Sequence, residues 1–286
     1  MTAPAKDGTV AKAPDLPVSP SVQSRACPIC DRADSDRLEA YSRNHWSVEQ
    51  CPGCGHVYLK NPPGYSALEQ DFAWQKTYAS EHERRLQENP VAYRLDVATR
   101  FRHTWFRRTT AQKYRDWFGS GKILDIGCAN SKDWFEGFTP YGIEISKELA
   151  EEADQLMRAK GGYCIFGPGA SAIWQFPEAM FDGIVMSSYL EHEEQPLKVL
   201  LGAARALKPD GAIYVRVPNY GSINRRLVGR NWCGFRWPDH VNYFTVADLR
   251  TIAAKAGLRV RLLTPVRLPF DDNINALLTH DTMVPT

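Results

Sequence analysis

The sequence predicts an α/β fold, in which an open, mainly parallel sheet carries helices on both faces and follows a small cysteine-rich module and a helical region. Residues 122–134 (KILDIGCANSKDW) join an apolar run to a glycine turn and a polar segment. This pattern is typical of a buried strand that ends in a turn and leads into a helix, where open α/β sheets bind nucleotide-like ligands. From Lys122 onward, apolar runs alternate with helix-like segments, which favours parallel strands with right-handed crossovers.

The composition is that of an ordinary globular protein. Of 286 residues, 43% are hydrophobic and 24% charged, with a formal net charge of +2. That charge is too mild to indicate a nucleic-acid partner, and no apolar run approaches the roughly 18 residues of a membrane span. The beginning of the sequence lacks the apolar region of a signal peptide, so we expect the cytoplasm. Cysteines stay reduced there, so their spacing indicates metal binding or chemistry rather than disulfides.

Residues 1–24 are rich in Ala, Pro, Ser and Lys and are predicted to be a disordered tail. Residues 25–62 are predicted to form a zinc ribbon, because two C-x-x-C pairs stand 20 residues apart. Four thiolates complete a closed tetrahedral site, which is structural and supplies folding energy to a module with little core of its own. A rubredoxin-like iron site is the less favoured alternative, and His56 is not expected to be a ligand. The predicted metal ligands are Cys27, Cys30, Cys51 and Cys54.

Residues 63–118 are predicted to be a helical lid or linker region, rich in aromatic residues and arginines. The favoured interpretation is amphipathic helices that pack their aromatic side chains inward. The alternative is a lid whose arginines bind a diphosphate or a carboxylate. Gly119–Gly121 is predicted to end the last helix.

Residues 119–286 are predicted to be one α/β domain. Thr245 is expected to cap a helix over 245–256, and Ser146 a helix near 146–160. No clear seventh strand is visible, so we expect the C-terminal edge of the sheet to be incomplete. The predicted strands are 122–126, 141–145, 163–166, 181–186, 212–217 and a strand near 258–264, and a further helix covers 196–207.

Residues 122–134 resemble the first motif of class I S-adenosylmethionine (SAM) methyltransferases, LD-x-G-C-G-x-G, with Ala129 and Ser131 at two usual glycine positions. Glu144, at the end of the second strand, suits the two ribose hydroxyls of such a ligand. The resemblance implies a Rossmann-like class I methyltransferase sheet with SAM as cofactor. An NAD site is not favoured because G-x-G-x-x-G is absent. The family's usual adenine-contacting Asp is replaced by Ala170, for which Ser171 could substitute. The predicted cofactor contacts are Asp125, Gly127, Cys128, Ala129, Glu144, Ile145 and Ser171.

Residues 188–192 (SYLEH) follow the fourth strand and resemble the family's E-x-x-E-H segment, with Ser188 in place of the first Glu. In ubiquinone-type O-methyltransferases and small-RNA methyltransferases this segment can help hold a divalent ion. The missing carboxylate weakens that reading, since hard ions prefer several oxygen ligands. His192 is a candidate general base, and a structural histidine is an equal alternative.

Residues 228–245 contain aromatic residues, arginines and a second histidine, His240. Their ending resembles P-x-H-L-x-x-F-[ST] of related enzymes. We predict a surface loop that forms the acceptor pocket, since such residues have little role in a core. His240 is then a second candidate base or a substrate hydrogen-bond donor, and Cys233 lines the pocket. The predicted substrate contacts are Tyr189, Asn219, Trp232 and Tyr243.

Together these features predict a SAM-dependent methyltransferase that acts on a small molecule. The pattern C-x-x-C-G-H-V-Y-x-x-N-P-P, over residues 51–63, resembles the ribbon of bacterial methyltransferases of sugar and surface-polysaccharide pathways. That resemblance implies a hydroxyl or carbon of a nucleotide-linked sugar as acceptor. Two alternatives stay open: a zinc-ribbon RNA methyltransferase, and a degenerate SAM-binding protein with a regulatory role. The oligomeric state is not predicted.

Overall fold

A computed structural model describes residues 24–43, 45–65, 109–129, 136–236, 238–265 and 271–281. The predicted disordered tail, apart from residue 24, lies outside these ranges. So does most of the predicted helical lid, residues 66–108, and the segment 130–135 that contains Ser131. No helix of the described ranges is both long enough and apolar enough to cross a membrane.

The cysteine-rich module comes first and contains three short antiparallel strands. They are β1 (Asp36–Arg37), β2 (Val48–Gln50) and β3 (Val57–Leu59). A fourth strand, β9 (Asn242–Tyr243), comes from a distant part of the chain and pairs with β3, giving the order β1-β2-β3-β9. The module therefore shares a sheet with residues that lie almost 200 positions further along the chain. The boundaries predicted at 25–62 and 119–286 stay predictions.

Among the described residues the main sheet has seven strands, and the order of its central strands is typical of nucleotide-binding α/β folds. The strands are β4 (Gly121–Ile126), β5 (Phe138–Glu144), β6 (Cys164–Phe166), β7 (Phe181–Ser187), β8 (Leu207–Pro218), β10 (Leu258–Leu262) and β11 (Asn273–His280). Their order is β10-β11-β8-β7-β4-β5-β6. The pairs from β6 to β8 are parallel, whereas β11 runs antiparallel to both β8 and β10. The order reverses at β4, whose carboxyl end is therefore the expected ligand crevice.

The helices follow the predicted alternation. They are α1 (Thr110–Phe118), α2 (Lys147–Arg158), α3 (Gly169–Ala172), α4 (Pro196–Ala206), α5 (Ile223–Val228) and α6 (Val246–Lys255). Thr245 caps α6 as predicted, because its side chain accepts the Asp248 amide and the Asp248 carboxylate accepts the Thr245 amide. The predicted α/β fold is confirmed.

The expectation of an incomplete sheet edge is wrong, because β11 is the seventh strand. It inserts between β8 and β10, and its register pairs Ala276 with both Val215 and Leu262. Its sequence, NINALLTH, mixes polar and apolar residues, and only the middle of the strand is fully buried. The strand thus lacks the continuous apolar run that marks β4 and β7, which is why its sequence gave a weak signal.

The segment 228–245 is not a surface loop with little core role. Three of its aromatic residues, Trp232, Phe235 and Tyr243, are buried in a second hydrophobic core together with residues of β2 and β3. That core comprises Val48, Val57, Leu59, Tyr220, Trp232, Phe235, Val241 and Tyr243. The prediction failed because the apolar partners of these rings come from the module at the opposite end of the sequence.

Candidate functional site

The turn after β4 is held by hydrogen bonds from its backbone amides to residues of β5. The Gly127 amide donates to the Ile143 carbonyl at 2.8 Å, and the Ala129 amide donates to Oε2 of Glu144 at 2.8 Å. Gly127 has φ +76° and Ala129 has φ +46°, so both adopt the left-handed region that favours glycine. Alanine at 129 therefore keeps the backbone shape that the usual glycine would adopt.

Glu144 ends β5 as a buried carboxylate, only 7% exposed, which excludes an ordinary surface glutamate. Its Oε2 accepts the Ala129 amide, and its Oε1 accepts the Ser146 amide at 2.9 Å. Ser146 is the first residue before α2, and its own side chain makes no capping bond. The carboxylate thus replaces the serine as the acceptor at this helix start. Each carboxylate oxygen has a second lone pair, so a diol could still be bound.

Other predicted cofactor contacts surround this turn. Asp125 is buried in β4, Ile145 is half-buried beside Glu144, and Ser171 is exposed with its hydroxyl donating to the Pro168 carbonyl at 3.0 Å. The side chain of Cys128 packs instead into a small cluster against α2, with its Sγ 3.7 Å from that of Cys164. For Cys128, the backbone rather than the thiol lies at the turn. These contacts stay predictions.

Tyr189 stands over the same turn. A Cβ built on Gly127 would lie 3.0 Å from its ring, and one on Gly169 would lie 2.0 Å from its hydroxyl. The hydroxyls of Tyr189 and Tyr65 both donate to the buried carboxylate of Glu193. Burial raises the pKa of Tyr189 well above its ordinary value, so this phenol stays protonated. Glu193 is not among the residues predicted from the sequence, where its signal is its place in the polar segment after β7.

Glu191, His192 and His240 converge at the carboxyl end of β7. Their ligand atoms all lie within 4.8 Å of one another, and the two imidazole rings are nearly perpendicular with centroids 4.7 Å apart. Nδ1 of His192 lies 2.9 Å from the Asp239 carbonyl, and Nδ1 of His240 lies 2.9 Å from the Gly234 carbonyl. A carbonyl can only accept, so each neutral ring carries its proton on Nδ1 and its lone pair on Nε2. The two predicted bases therefore lie in one site, one strand away from the turn after β4.

The surroundings of the two histidines differ. The His192 side chain is 27% exposed, while His240 is only 5% exposed. The Asp239 carboxylate lies 3.8 Å from Nδ1 of His192 and is itself paired with Arg236 at 2.8 Å. Asp239, which sequence analysis did not single out, would stabilise a protonated His192. His192 is thus the more accessible of the two predicted bases.

The third member, Glu191, is buried, and its Oε2 has no hydrogen-bond partner among the residues that the structure describes. Burial raises the pKa of Glu191, and the neighbouring His192 opposes this rise. An unpartnered buried carboxylate oxygen is costly. One carboxylate and two imidazole nitrogens are also a donor set that suits a divalent transition metal.

Three predicted substrate contacts lie away from solvent. Trp232 is 1% exposed and its indole donates to Asp272 at 3.0 Å, while the Asn219 amide donates to the Asp271 carbonyl at 3.1 Å. Tyr243 is buried within β9. All three therefore have a packing role in the structure, and their contact with a substrate stays a prediction.

The four predicted metal ligands come together. Sγ of Cys27 lies 3.5 Å from that of Cys54, and Sγ of Cys30 lies 3.4 Å from that of Cys51. All four sulfurs are within 4.8 Å of one another, as a single tetrahedral ion requires. His56 is not in this group; its Nδ1 lies 3.6 Å from the Asp248 carboxylate instead.

The two C-x-x-C turns have the same backbone geometry. The Cys27 amide donates to the Arg32 carbonyl and the Asp31 amide returns to the Cys27 carbonyl, both at 2.9 Å. The second turn repeats both bonds at the same distances, from Cys51 to the His56 carbonyl and from the Gly55 amide to the Cys51 carbonyl. Asp31 and Gly55 occupy equivalent left-handed positions, at φ +62° and +77°. This internal repeat presents two thiols from each turn, which fits a closed four-cysteine metal site.

Comparisons with known proteins find a matching family model and several similar proteins. A family model described as a methyltransferase domain matches residues 101–263. An uncharacterised protein from Methanocaldococcus jannaschii, MJ1123, is 26% identical over 182 residues, which cover 64% of this chain and 79% of that protein. A ubiquinone biosynthesis O-methyltransferase from Thiobacillus denitrificans is 25% identical over 182 residues, covering 55% of this chain and 76% of that enzyme. Among solved structures, a SAM-dependent methyltransferase from Thermotoga maritima, described as a possible histamine N-methyltransferase, is 18% identical with a TM-score of 0.47. That match covers 75% of this chain and 98% of the other.

The family model spans more than half of the chain and includes both the turn after β4 and the residues that meet at the end of β7. The strand order of the main sheet is consistent with the match. The chain therefore belongs to the methyltransferase-domain family, and it is a SAM-dependent methyltransferase with a Rossmann-like class I fold.

Proposed function

We propose that this methyltransferase modifies a hydroxyl group or carbon of a small, sugar-related molecule, with His192 as the group that removes a proton. The observation that carries the proposal is the convergence of His192, His240 and Glu191 at the edge of the sheet that also holds Glu144. SAM supplies a methyl group on a positively charged sulfonium, so the protein contributes mainly alignment of the acceptor.

The donor side would be formed by the turn after β4. Glu144 would accept the two ribose hydroxyls through its remaining lone pairs, while its present bonds to the Ala129 and Ser146 amides hold it in place. Gly127 would allow close approach of the backbone to the cofactor because it has no side chain. A side chain at this position would also meet Tyr189, whose ring lies 3.0 Å from the position of a Cβ. Asp125, Cys128, Ile145 and Ser171 complete the proposed set.

On the acceptor side, His192 is the preferred base. Its Nε2 carries the lone pair, its ring is partly exposed, and Asp239 would stabilise the imidazolium that forms. His240 is buried, so it would orient the acceptor hydroxyl rather than receive its proton. A carbon acceptor would place the same demand on His192, since a C–H proton must leave after or during methyl transfer.

The sugar-related acceptor is supported by the ribbon pattern over residues 51–63, which resembles that of sugar-pathway methyltransferases. We also propose that Cys27, Cys30, Cys51 and Cys54 hold a structural zinc ion. Their mutual distances and the repeated turn geometry support four thiolate ligands and leave no open position for catalysis.

A second mode of action is favoured by one observation, the unpartnered Oε2 of Glu191. Glu191, His192 and His240 could hold a divalent cation, as the related E-x-x-E-H segments can. Such an ion would lower the pKa of a bound acceptor hydroxyl, so that His192 would act as a ligand and not as a base. The two modes differ in one measurable property, the dependence of methyl transfer on added metal.

The test is transfer of labelled methyl from SAM to a panel of nucleotide sugars, quinol precursors and RNA, with His192→Gln beside His280→Gln. His280 lies at the opposite end of the sheet, with its ring against the Leu207 carbonyl, and is the matched control. We expect a labelled sugar, a loss of about 100-fold in kcat for His192→Gln, and no loss for the control. Labelled RNA would replace the acceptor proposal, and full activity of His192→Gln would refute its role. Activity that is lost with a chelator of divalent ions and restored by Mg²⁺ or Mn²⁺ would favour the second mode.

A further inference from the structure

One arginine joins the cysteine-rich module to both loops of the acceptor site. Arg25 lies two residues before the first metal-ligand cysteine, and its Nε donates to the Leu59 carbonyl of β3 at 3.0 Å. Its Nη1 donates to the Glu194 carbonyl at 2.9 Å, and its Nη2 donates to the Val241 carbonyl at 2.5 Å and to Oδ1 of Asn242 at 3.0 Å. Four acceptors from three separate segments thus share a single guanidinium.

The side chain of Asn242 extends this network to residues 190–193, the segment that contains Glu191 and His192. While its Oδ1 accepts from Arg25, its Nδ2 donates to the Leu190 carbonyl at 2.8 Å and to the Glu193 carbonyl at 2.7 Å. The backbone amides of Val241 and Asn242 both donate to the Glu191 carbonyl, at 2.7 and 3.0 Å. These bonds tie the residue after His240 to the backbone of Glu191, and so set the separation of the two histidine-bearing segments.

The pairing of β3 with β9 adds a second connection from the module. The Leu59 amide donates to the Val241 carbonyl at 2.9 Å, so the hydrogen bonding between β3 and β9 extends to the residue that follows His240. Arg25 then crosses this junction, with its guanidinium also 5.4 Å from the ring centroid of Tyr58.

We propose that Arg25 is a positioning residue, through which the cysteine-rich module sets the geometry of Glu191, His192 and His240. The inference rests on the proposed function of that cluster as the acceptor site. Arg25 contacts carbonyls and one amide, and none of its bonds reaches the turn that would bind SAM. Its loss should therefore impair turnover while leaving SAM binding intact.

The test compares Arg25→Ala and Arg25→Lys with Arg32→Ala in the metal-loaded full chain. Arg32 is the matched control, because it lies in the same module but is half-exposed and is paired with the exposed Asp34. Four properties are measured: bound zinc, the Kd for SAM by calorimetry, the kinetics of methyl transfer (kcat and KM), and the imidazole NMR signals of the seven histidines. The NMR signals need no acceptor and no turnover.

For Arg25→Ala we expect a 10- to 100-fold lower kcat, the scale of a misplacement of about 1 Å, with the Kd for SAM within about twofold of wild type. The signals of His192 and His240 should shift while that of His280 does not. Added guanidinium at millimolar concentration should restore part of the kcat, and Arg25→Lys should be intermediate because it keeps the charge but not the fork of donors. Arg32→Ala should match wild type in all four properties.

Unchanged kcat and histidine signals in Arg25→Ala would overturn the inference, as would a parallel loss of SAM binding and zinc. If Arg25→Ala does not fold, Arg25→Lys decides: wild-type kcat and unshifted histidine signals in that variant would equally overturn it. If wild type transfers no methyl to any acceptor, the proposed function fails on its own, and the histidine signals still show whether Arg25 positions the cluster.

Discussion

Replacing Ala129 by glycine tests whether the altered first motif limits this enzyme. Ala129 has φ +46°, and its amide holds Glu144 at 2.8 Å. A left-handed conformation costs a residue with a Cβ about 1–2 kcal/mol. Glycine avoids this cost, but its greater freedom in the unfolded chain lowers the free energy of unfolding by about 0.5–1 kcal/mol. The free energy of unfolding should therefore rise by about 0.5–1 kcal/mol, or about 1–3 °C in Tm.

Ala179 offers a matched control for this substitution. It is also an alanine at positive φ, +47°, but it lies in the exposed turn before β7, where its amide donates to the Arg205 carbonyl. Ala179→Gly should give the same gain in Tm with no change in SAM affinity. Ala129→Gly should in addition lower the Kd for SAM about two- to fivefold, which corresponds to about 0.5–1 kcal/mol from removing a methyl group beside the ligand.

Thermal unfolding and calorimetric titration of SAM measure the two effects separately. Equal gains in Tm with an unchanged Kd would show that the methyl group of Ala129 does not hinder the cofactor. The hypothesis that alanine at this position weakens SAM binding would then be refuted. A lower Tm for Ala129→Gly alone would contradict the left-handed conformation of this turn. In both cases the changes in Tm and Kd for Ala129→Gly are compared with those for Ala179→Gly.

Three further predictions concern other parts of the molecule. Glu144→Gln should raise the Kd for SAM at least about tenfold in calorimetry, because an amide offers one acceptor where the carboxylate serves two backbone amides and the proposed ribose. Gly169→Ala places a Cβ 2.0 Å from the Tyr189 hydroxyl, so it should lower the free energy of unfolding by about 1–3 kcal/mol and weaken SAM binding; wild-type values for both would contradict the position of that ring. Cys54→Ser should lose bound zinc by elemental analysis and lower Tm, whereas Cys233→Ser, at an exposed cysteine outside the cluster, should keep wild-type zinc; equal zinc in both variants would refute the four-cysteine site.

The features that could be predicted from the sequence are those whose signal is local. The C-x-x-C turns bring two thiols together over four residues, and the strand-turn unit at Leu124–Gly127 contains its own apolar run and its own glycine. Glu144 could be predicted because consecutive parallel strands end at the same edge, which fixes its distance from the first turn. In each case, the chain segment that forms the feature also contains the residues that identify it.

The features that could not be predicted depend on partners distant in sequence. Trp232 and Tyr243 have the residue types of a binding loop, and only the strands of the cysteine-rich module, about 180 residues earlier, make them core residues. Strand β11 gives a weak signal because its longest buried run is in the middle, so polar residues stand near both ends of the strand. A single sequence contains no sign of which distant segment will cover which face.

The cysteine-rich module shares a hydrophobic core with the main sheet. Cys27, Cys51 and Tyr58 belong to the same continuous core as Leu249 of α6 and the inner residues of the main sheet. A surface appendage would share no such core, and its loss would leave the sheet intact. Here the two C-x-x-C turns pack against α6, β3 pairs with β9, and β9 begins two residues after His240. Loss of the metal should therefore reach the acceptor site first, through Val241 and Asn242, while Glu144 and the turn after β4 lie on the other side of β7 and keep their own hydrogen bonds.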